Sequence, residues 1–449
     1  MNRTLKRDGG FALVSLLALA APLFGAATAL PFLAIAGVAA FLIDEGPVFE
    51  LFARPRDWQA GRLYGLAAFA LSAAVLSFLS MPPVTATYTM PLPSFAASVV
   101  TVGVGTLGAT FAREYVDEPF LILSAFAVVG FFAALLAQLT VVALGATPLS
   151  IVAVAPVSLP TLTFHAALAA LVGALTRSLL AADDRAAVAF AVGATMLVVG
   201  ALSEPVHVLD VGLALGVALL LGGITYATGT ASVEGMLSGV LLCLVTIVLG
   251  GPGWFALLLT FFGVGTLSTK FRYEHKADRG VAEENEGARG LGNVLGNAGV
   301  ALLAVVGFAA AGDLPIGGTL FAVAFAGSLA TAMGDTLSSE IGGLFDTPRL
   351  VTSGKRVPPG TDGAVTWQGE LAGLVGAAAV GGLATLLLDV GQDPLLVVGI
   401  VAGGGFVGMT ADSALGATVE GDVVENETVN LLATLTGALA AVVLFVLVA

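Results

Sequence analysis

Apolar windows of roughly 17 to 22 residues recur from one end of this chain to the other, and few folds other than a helical bundle in a bilayer can accept them. They fall near 11–26, 28–44, 62–81, 95–112, 119–144, 161–178, 187–203, 210–227, 233–250, 254–269, 294–311, 316–333, 368–388, 395–411 and 429–448. A backbone in hydrocarbon must satisfy its own N–H and C=O groups, so each window predicts an α-helix. Together they predict an all-α polytopic bundle of about fifteen spans. The charged fraction agrees: it is 11% of 449 residues, against 57% hydrophobic and a mean hydropathy of +1.00. A soluble domain carries about a quarter of its residues charged. Residues 11–44 read as one long helix or two, and 145–160 leave room for a short re-entrant piece.

The few cations orient the bundle. With the N-terminus cytoplasmic, all 17 Lys and Arg residues fall on the inner side, at 3–7, 54–62, 113, 177–185, 270–289 and 349–356. The loops assigned to the opposite side carry none, as the positive-inside rule requires. The first window follows MNRTLKR and resembles a secretory signal, but further spans come directly after it, so it reads as a retained first helix. The expected location is the plasma membrane, multi-pass, with the polar segments 270–293, 334–366 and 412–428 on the cytoplasmic face.

Net charge is −14 and lysine is confined to Lys6, Lys270, Lys276 and Lys355, a halophile-like balance that disfavours nucleic acid as a partner. Cys243 is alone, so the chain holds no disulfide and no cysteine metal site. His165, His207 and His275 are scattered and make no ligand set.

The two halves differ. Up to the Glu204-Pro205 turn the loops are short, and the reading is an additional transmembrane domain over 1–205. Residues 206–449 form a second domain, whose loops lengthen and fill with paired polar residues. Thr269 to Gly299 places Lys270, Arg272, Lys276, Arg279 and Arg289 together, a set suited to a polyanion. Asn293 and Asn297 share one helix face at the start of a span, where free N–H groups also favour an anion.

Gly334 to Gly363 is the most polar stretch and reads as a loop. Asp335 and Glu340 are hard oxygen ligands of the kind magnesium takes, and Ser338 and Ser339 can donate to phosphate. Asp335 can equally be read as a helix cap. Lys355 and Arg356 precede the turn Pro358-Pro359-Gly360-Thr361-Asp362-Gly363, whose glycines let backbone amides approach an anion. Asp412 closes a strongly apolar helix, where a carboxylate at mid-membrane depth would cost about 2.5–3.5 kcal/mol, so it must lie at the interface, pair with a cation or bind metal. Asn426 and Asn430 repeat the four-residue spacing of Asn293 and Asn297.

These segments, GDTLSSEIG, PRLVTSGKRVPPGTDGAV, EGARGLGNVLGN and DSALGAT followed by NETVN, resemble a membrane family catalogued as a domain of unknown function. It includes plant chloroplast phytyl-phosphate kinases and animal transmembrane relatives, and the resemblance covers roughly 210–449. It implies phosphorylation of an isoprenoid monophosphate, such as phytyl or geranylgeranyl phosphate, to the diphosphate. CTP or another nucleoside triphosphate would be the donor and Mg²⁺ the metal, with distant kinship to phytol and dolichol kinases. The matching positions are Lys270, Lys276, Arg289, Asn297, Asp335, Ser338, Ser339, Glu340, the turn Gly360 to Gly363, Asp412, Ser413, Asn426 and Asn430. Leu337 stands where the family commonly has Trp, and Ala364 replaces a second Gly.

On this reading Asp335, Lys355, Arg356 and Arg289 are catalytic. Lys270, Lys276, Asn297, Ser338, Ser339, Gly360, Thr361, Asp362, Gly363, Asn426 and Asn430 hold nucleotide or phosphate. Asp335, Glu340 and Asp412 hold the metal. The isoprenoid tail would lie between helices, against membrane lipid. The alternatives are a transporter or flippase for a prenyl-phosphate-type lipid, or a cytidylyltransferase-type lipid enzyme.

Overall fold

The computed structural model describes residues 2–81, 89–152, 154–180, 184–202, 206–228, 231–282, 290–420 and 423–448. Among them twelve helices are long and apolar enough to cross a membrane, and Tyr64–Leu79 and Arg185–Gly200 are shorter apolar helices. The expected fifteen windows map onto these fourteen, because the first two windows fall on one helical path, Arg3–Phe41. The chain divides into two compact units, Met1–Val211 and Gly212–Ala449. The Glu204-Pro205 boundary expected from the sequence lies outside the described residues.

The first unit begins with the broken path α1 (Arg3–Ser15), α2 (Ala21–Phe24) and α3 (Ala29–Phe41), joined by 3₁₀ turns at Leu16–Ala20 and Gly25–Thr28. Pro22 lacks an N–H, and Gly25 takes φ +50°, so the α-helical ladder cannot run through. The carbonyl of Pro22 is satisfied from outside the helix, by the Ser150 hydroxyl at 3.1 Å and the Ile151 N–H at 3.0 Å. Irregular backbone at membrane depth survives only with such partners. Then follow α4 (Gly46–Phe52), α5 (Pro55–Ala60), α6 (Tyr64–Leu79), α7 (Leu92–Ala112), α8 (Pro119–Gly145), α9 (Leu159–Leu179) and α10 (Arg185–Gly200). The central helix is α7, which packs against α1, α8, α9 and α10.

The division between the units falls within α11 (Val208–Thr228). The second unit continues with α12 (Val233–Val245), extended by a π-helical turn to Gly250, and α13 (Pro252–Lys270). Next come the short α14 (Tyr273–Asp278), α15 (Leu291–Ala309) and α16 (Gly318–Gly342). A two-stranded antiparallel hairpin, β1 (Arg349–Leu350) with β2 (Ala364–Val365), precedes α17 (Trp367–Leu387), α18 (Pro394–Gly416) and α19 (Asn426–Val448). Here α16 is the axis, touching α13, α15, α17, α18 and α19.

Small residues let these helices approach. A Cβ at Gly373 would stand 2.6 Å from the Gly334 carbonyl oxygen, and one at Gly405 would stand 2.8 Å from the Cβ of Ala330. Lipid tails are as apolar as leucine, so association in a bilayer rests on such close packing rather than on hydrophobic burial. At one end Trp254 of α13 stacks between Phe308 and Phe325, with ring centroids 4.7 and 4.6 Å away. Asp335 and Glu340 lie at the opposite, C-terminal end of α16.

One sequence expectation is corrected here. Gly334 to Gly342 is not a loop but the last two turns of α16, DSALG closes α18, and NETVN opens α19. Asp335 therefore lies within a helix and caps none. Local polarity resembled a loop, yet the stretch holds no proline, and its glycines serve helix contact rather than a turn.

Candidate functional site

The close contacts of α16 with α17 and α18 have one electrostatic consequence. They bring the carboxyl groups of Asp335 and Asp412 within hydrogen-bonding reach of each other. Glu370, in the first turn of α17, and Glu420, just past α18, face the same pair. Glu370 also accepts a hydrogen bond from the Ser338 hydroxyl at 3.4 Å. Asp412 Oδ1 is buried and has no hydrogen-bond partner among the described residues. Two adjacent carboxylates cannot both stay ionised unless a proton or a cation stands between them. Asp362 and Glu427 extend the acidic field around Glu420. The Glu420 carboxyl is pushed above its ordinary value, first by partial burial and then by the charges of Asp362, Asp412 and Glu427.

The turn after the hairpin is built against this cluster. Gly363 takes φ +69°, and a Cβ there would collide with the Ser413 carbonyl and with Ala417 at the end of α18. Only glycine meets both conditions, and Gly363 thereby packs against Ser413, the residue next to Asp412 in α18. The Thr361 hydroxyl and N–H both go to the Pro358 carbonyl, at 2.8 and 3.4 Å. Lys355 and Arg356 are exposed on the hairpin. The loop they occupy is closed by the Leu350 N–H donating to the Lys355 carbonyl at 2.9 Å and by the bridge of Arg356 to Arg349.

Other expected site residues are placed elsewhere. Glu340 does not join Asp335 and Asp412: five residues along a helix turn the side chain by about 140°. It is buried and paired with Lys276, and it accepts from the Thr269 hydroxyl at 2.8 Å. The Lys276 ammonium also donates to the carbonyls of Ser268 and Thr269, at 3.0 and 2.7 Å. Its three donors are thus used in closing the C-terminus of α13 and tying it to α16, which corrects its assignment to phosphate. Ser339 is exposed and donates to the Thr336 carbonyl, turning away from Glu370.

Asn297 is buried, and its amide donates to the Asn293 carbonyl one turn back on α15, at 2.9 Å, a bond within the helix. Asn430 is buried against α15, where a Cβ at Gly296 would sit 3.3 Å from its own, while Asn426 is exposed. Lys270 is exposed at the end of α13. Arg289 lies outside the described residues.

A divalent metal fits part of this arrangement. Among the described residues no three His, Cys, Asp or Glu side chains converge as a ligand set, so the expected trio does not form. Magnesium needs no such trio: it takes one or two carboxylates and leaves its other positions to water and phosphate. The Asp335–Asp412 pair, with its orphaned buried oxygen, supplies that minimum. Glu370 and Glu420 were missed as members of the cluster. Glu370 carried a readable signal, an acid at the mouth of an apolar window, while the approach of Glu420 to Asp335 depends on how the chain turns after α18.

Comparison with known proteins places the second unit. The family model described as integral membrane protein DUF92 matches residues 216–443, about half of the chain. The uncharacterized membrane protein MJ0933 of Methanocaldococcus jannaschii is 34% identical over 218 residues, 47% of this chain and 84% of its own length. Protein VTE6, chloroplastic, of Arabidopsis thaliana is 37% identical over 163 residues, 35% of this chain and 47% of its own length. The uncharacterized membrane protein sll0875 of Synechocystis is 33% identical over 209 residues, 44% of this chain and 76% of its own. No solved structure matches. The motifs that build the acidic end of the bundle lie within the matched stretch, and the chain belongs to the DUF92 family of integral membrane proteins.

Proposed function

We propose that the second unit is a membrane-embedded kinase. It moves the terminal phosphoryl group of a nucleoside triphosphate, with CTP the first donor to try, onto an isoprenoid monophosphate such as phytyl or geranylgeranyl phosphate. The observation that carries this reading is the Asp335–Asp412 pair, two carboxyl groups held together where α16 and α18 end. Such a pair is costly in a bilayer and persists where a cation is to be bound. The resemblance of its motifs to those of phytyl-phosphate kinases supports the same reading.

The acceptor is itself an ionised phosphate, so the reaction needs positioning and charge neutralisation more than a strong base. One acceptor oxygen forms the new P–O bond while the bond to the nucleoside diphosphate breaks, and the products are the lipid diphosphate and that nucleoside diphosphate. Asp335 and Asp412 would hold Mg²⁺, which neutralises donor phosphate charge when bound. Glu370, held by Ser338, adds negative charge beside the pair on the α17 side. The Gly360–Gly363 turn offers backbone N–H groups beside the pair, and the hairpin presents Lys355 and Arg356 to the phosphates. The nucleotide requires this end of the bundle to face the cytoplasm, the side that the distribution of Lys and Arg predicts.

The test is incubation of purified full-length protein with Mg²⁺, phytyl or geranylgeranyl monophosphate, and CTP, ATP, GTP or UTP in turn. Lipid diphosphate is expected with one donor and is lost in Asp335→Asn. Release of pyrophosphate with a nucleotidyl lipid would replace the kinase by a cytidylyltransferase. Absence of turnover with every donor, together with movement of the lipid phosphate across vesicles, would replace it by a flippase.

A further inference from the structure

On the side of α16 that carries Glu340 lies a second polar feature, a cleft of about 500 Å³ at the α13–α14 elbow lined by Lys270, Arg272, Tyr273 and Glu274. It is separate from the carboxylate pair. Asp335 and Glu340 project from α16 about 140° apart, and Glu340 reaches the elbow through Lys276 and Thr269.

The elbow is built to display its cations. Arg272 takes φ +52°, the lone non-glycine residue at positive φ among the described residues, in a region that arginine seldom adopts. The fixed Lys276 behind it uses its donors on Ser268, Thr269 and Glu340, so α14 folds back on the end of α13 and turns residues 270–274 outward. Neither Lys270 nor Arg272 makes an ion pair among the described residues, although Glu274 lines the same cleft. The Arg272 guanidinium lies over the ring of Phe271, 5.7 Å from its centroid. The flank is apolar: Leu267 and Phe271 are 71% and 51% exposed, at the end of a span. Two cations beside an exposed apolar strip make an amphipathic surface, and its complement is a phosphate with a hydrocarbon chain attached.

The geometry points to a binding site at the α13–α14 elbow for the phosphate headgroup of a membrane lipid. Lys270 and Arg272 hold the phosphate, and Leu267 and Phe271 meet the first part of the tail. The inference does not depend on phosphotransfer at Asp335 and Asp412.

Native mass spectrometry of the full-length protein, released from detergent with dioleoylphosphatidate or dioleoylphosphatidylcholine, tests it. The double variant Lys270→Gln/Arg272→Asn removes both charges, and asparagine accepts the left-handed backbone that position 272 requires. It should bind phosphatidate about tenfold more weakly with phosphatidylcholine retention unchanged, and Lys270→Arg should bind like the wild type. Unchanged phosphatidate binding in the double variant, or an equal loss of phosphatidylcholine, would overturn the site. Inorganic phosphate and CTP form the second arm. If either binds without lipid and is lost in the same variant, the ligand is a soluble phosphate and the lipid assignment fails. Asp335→Asn, which disables the proposed transfer, should keep its phosphatidate; a matching loss there would merge the two sites and refute a separate one.

Discussion

Both units bury charge, and they do it in opposite ways. In the first, Asp8 is buried on α1, accepts from the Thr110 hydroxyl of α7, and is paired with Arg185 of α10 and with Arg7 at 3.2 Å. Arg185 also lies over the ring of Phe11, 4.3 Å from its centroid. In the second, two carboxyl groups of the same kind, Asp335 and Asp412, meet with Glu370 and Glu420 beside them. Opposite charges that satisfy each other hold helices together. Like charges that do not satisfy each other wait for something else. The Lys276–Glu340 pair shows that the second unit also contains the first kind. The contrast therefore separates structural support from candidate site within one bundle, and it does so where composition sees only charged residues.

The sharpest way to break that contrast is to remove one charge from each cluster. Asp412→Asn should cut lipid diphosphate formation by at least about a hundredfold, the scale on which electrostatic groups at a transferring centre act. Its thermal unfolding should stay level or rise, because a repulsion is relieved. A fall in unfolding temperature with turnover intact would make the pair structural. Arg185→Met should do the reverse and destabilise the fold by about 3–5 kcal/mol, since it leaves Asp8 buried with its main partner gone. Equilibrium unfolding in mixed detergent micelles measures this, and a change within 0–1 kcal/mol, roughly the range of an exposed pair, would deny Asp8 and Arg185 their bracing role.

A smaller effect sharpens the comparison at the turn beside the pair. Gly363→Ala must adopt a left-handed backbone and push Ser413 and Ala417 aside, so it should lower stability by about 1–3 kcal/mol and turnover with it. Wild-type turnover in that variant would detach the Gly360–Gly363 turn from the site. The smallest effect concerns pH. Glu420 titrates above its ordinary value of 4.5, so the folded state holds its proton where the unfolded chain has released it. Stability from this group is full below 4.5 and is lost as pH rises through the raised folded value. Glu420→Gln should therefore gain on the wild type in unfolding temperature as pH climbs from 4.5 toward neutrality. A constant gap across that range would mean that neither burial nor the charges of Asp362, Asp412 and Glu427 raise the Glu420 carboxyl.

Much of the bundle was legible from the windows alone, and each window found a helix. The path Arg3–Phe41 was the exception in detail, because Pro22 and Gly25 interrupt the ladder without ending the direction of the chain. The site was less legible. Asp335, Asp412 and Gly363 could be picked out as an acid in a polar stretch, another closing an apolar helix, and a glycine in a Pro-Gly turn. Lys276 and Glu340 looked like the same kind of residue and are not, since what separates a ligand from a brace is the partner that each meets.

The sequence by itself determined that this is a polytopic helical membrane protein, because long apolar windows admit no other backbone in a bilayer. It also narrowed the candidates for chemistry to a short set, because polar side chains are few in such a chain. Only the tertiary structure decided which of them meet. Helix contact depends on which small residues face one another across α16, α17 and α18, and that facing is a property of packing between distant segments rather than of any one of them.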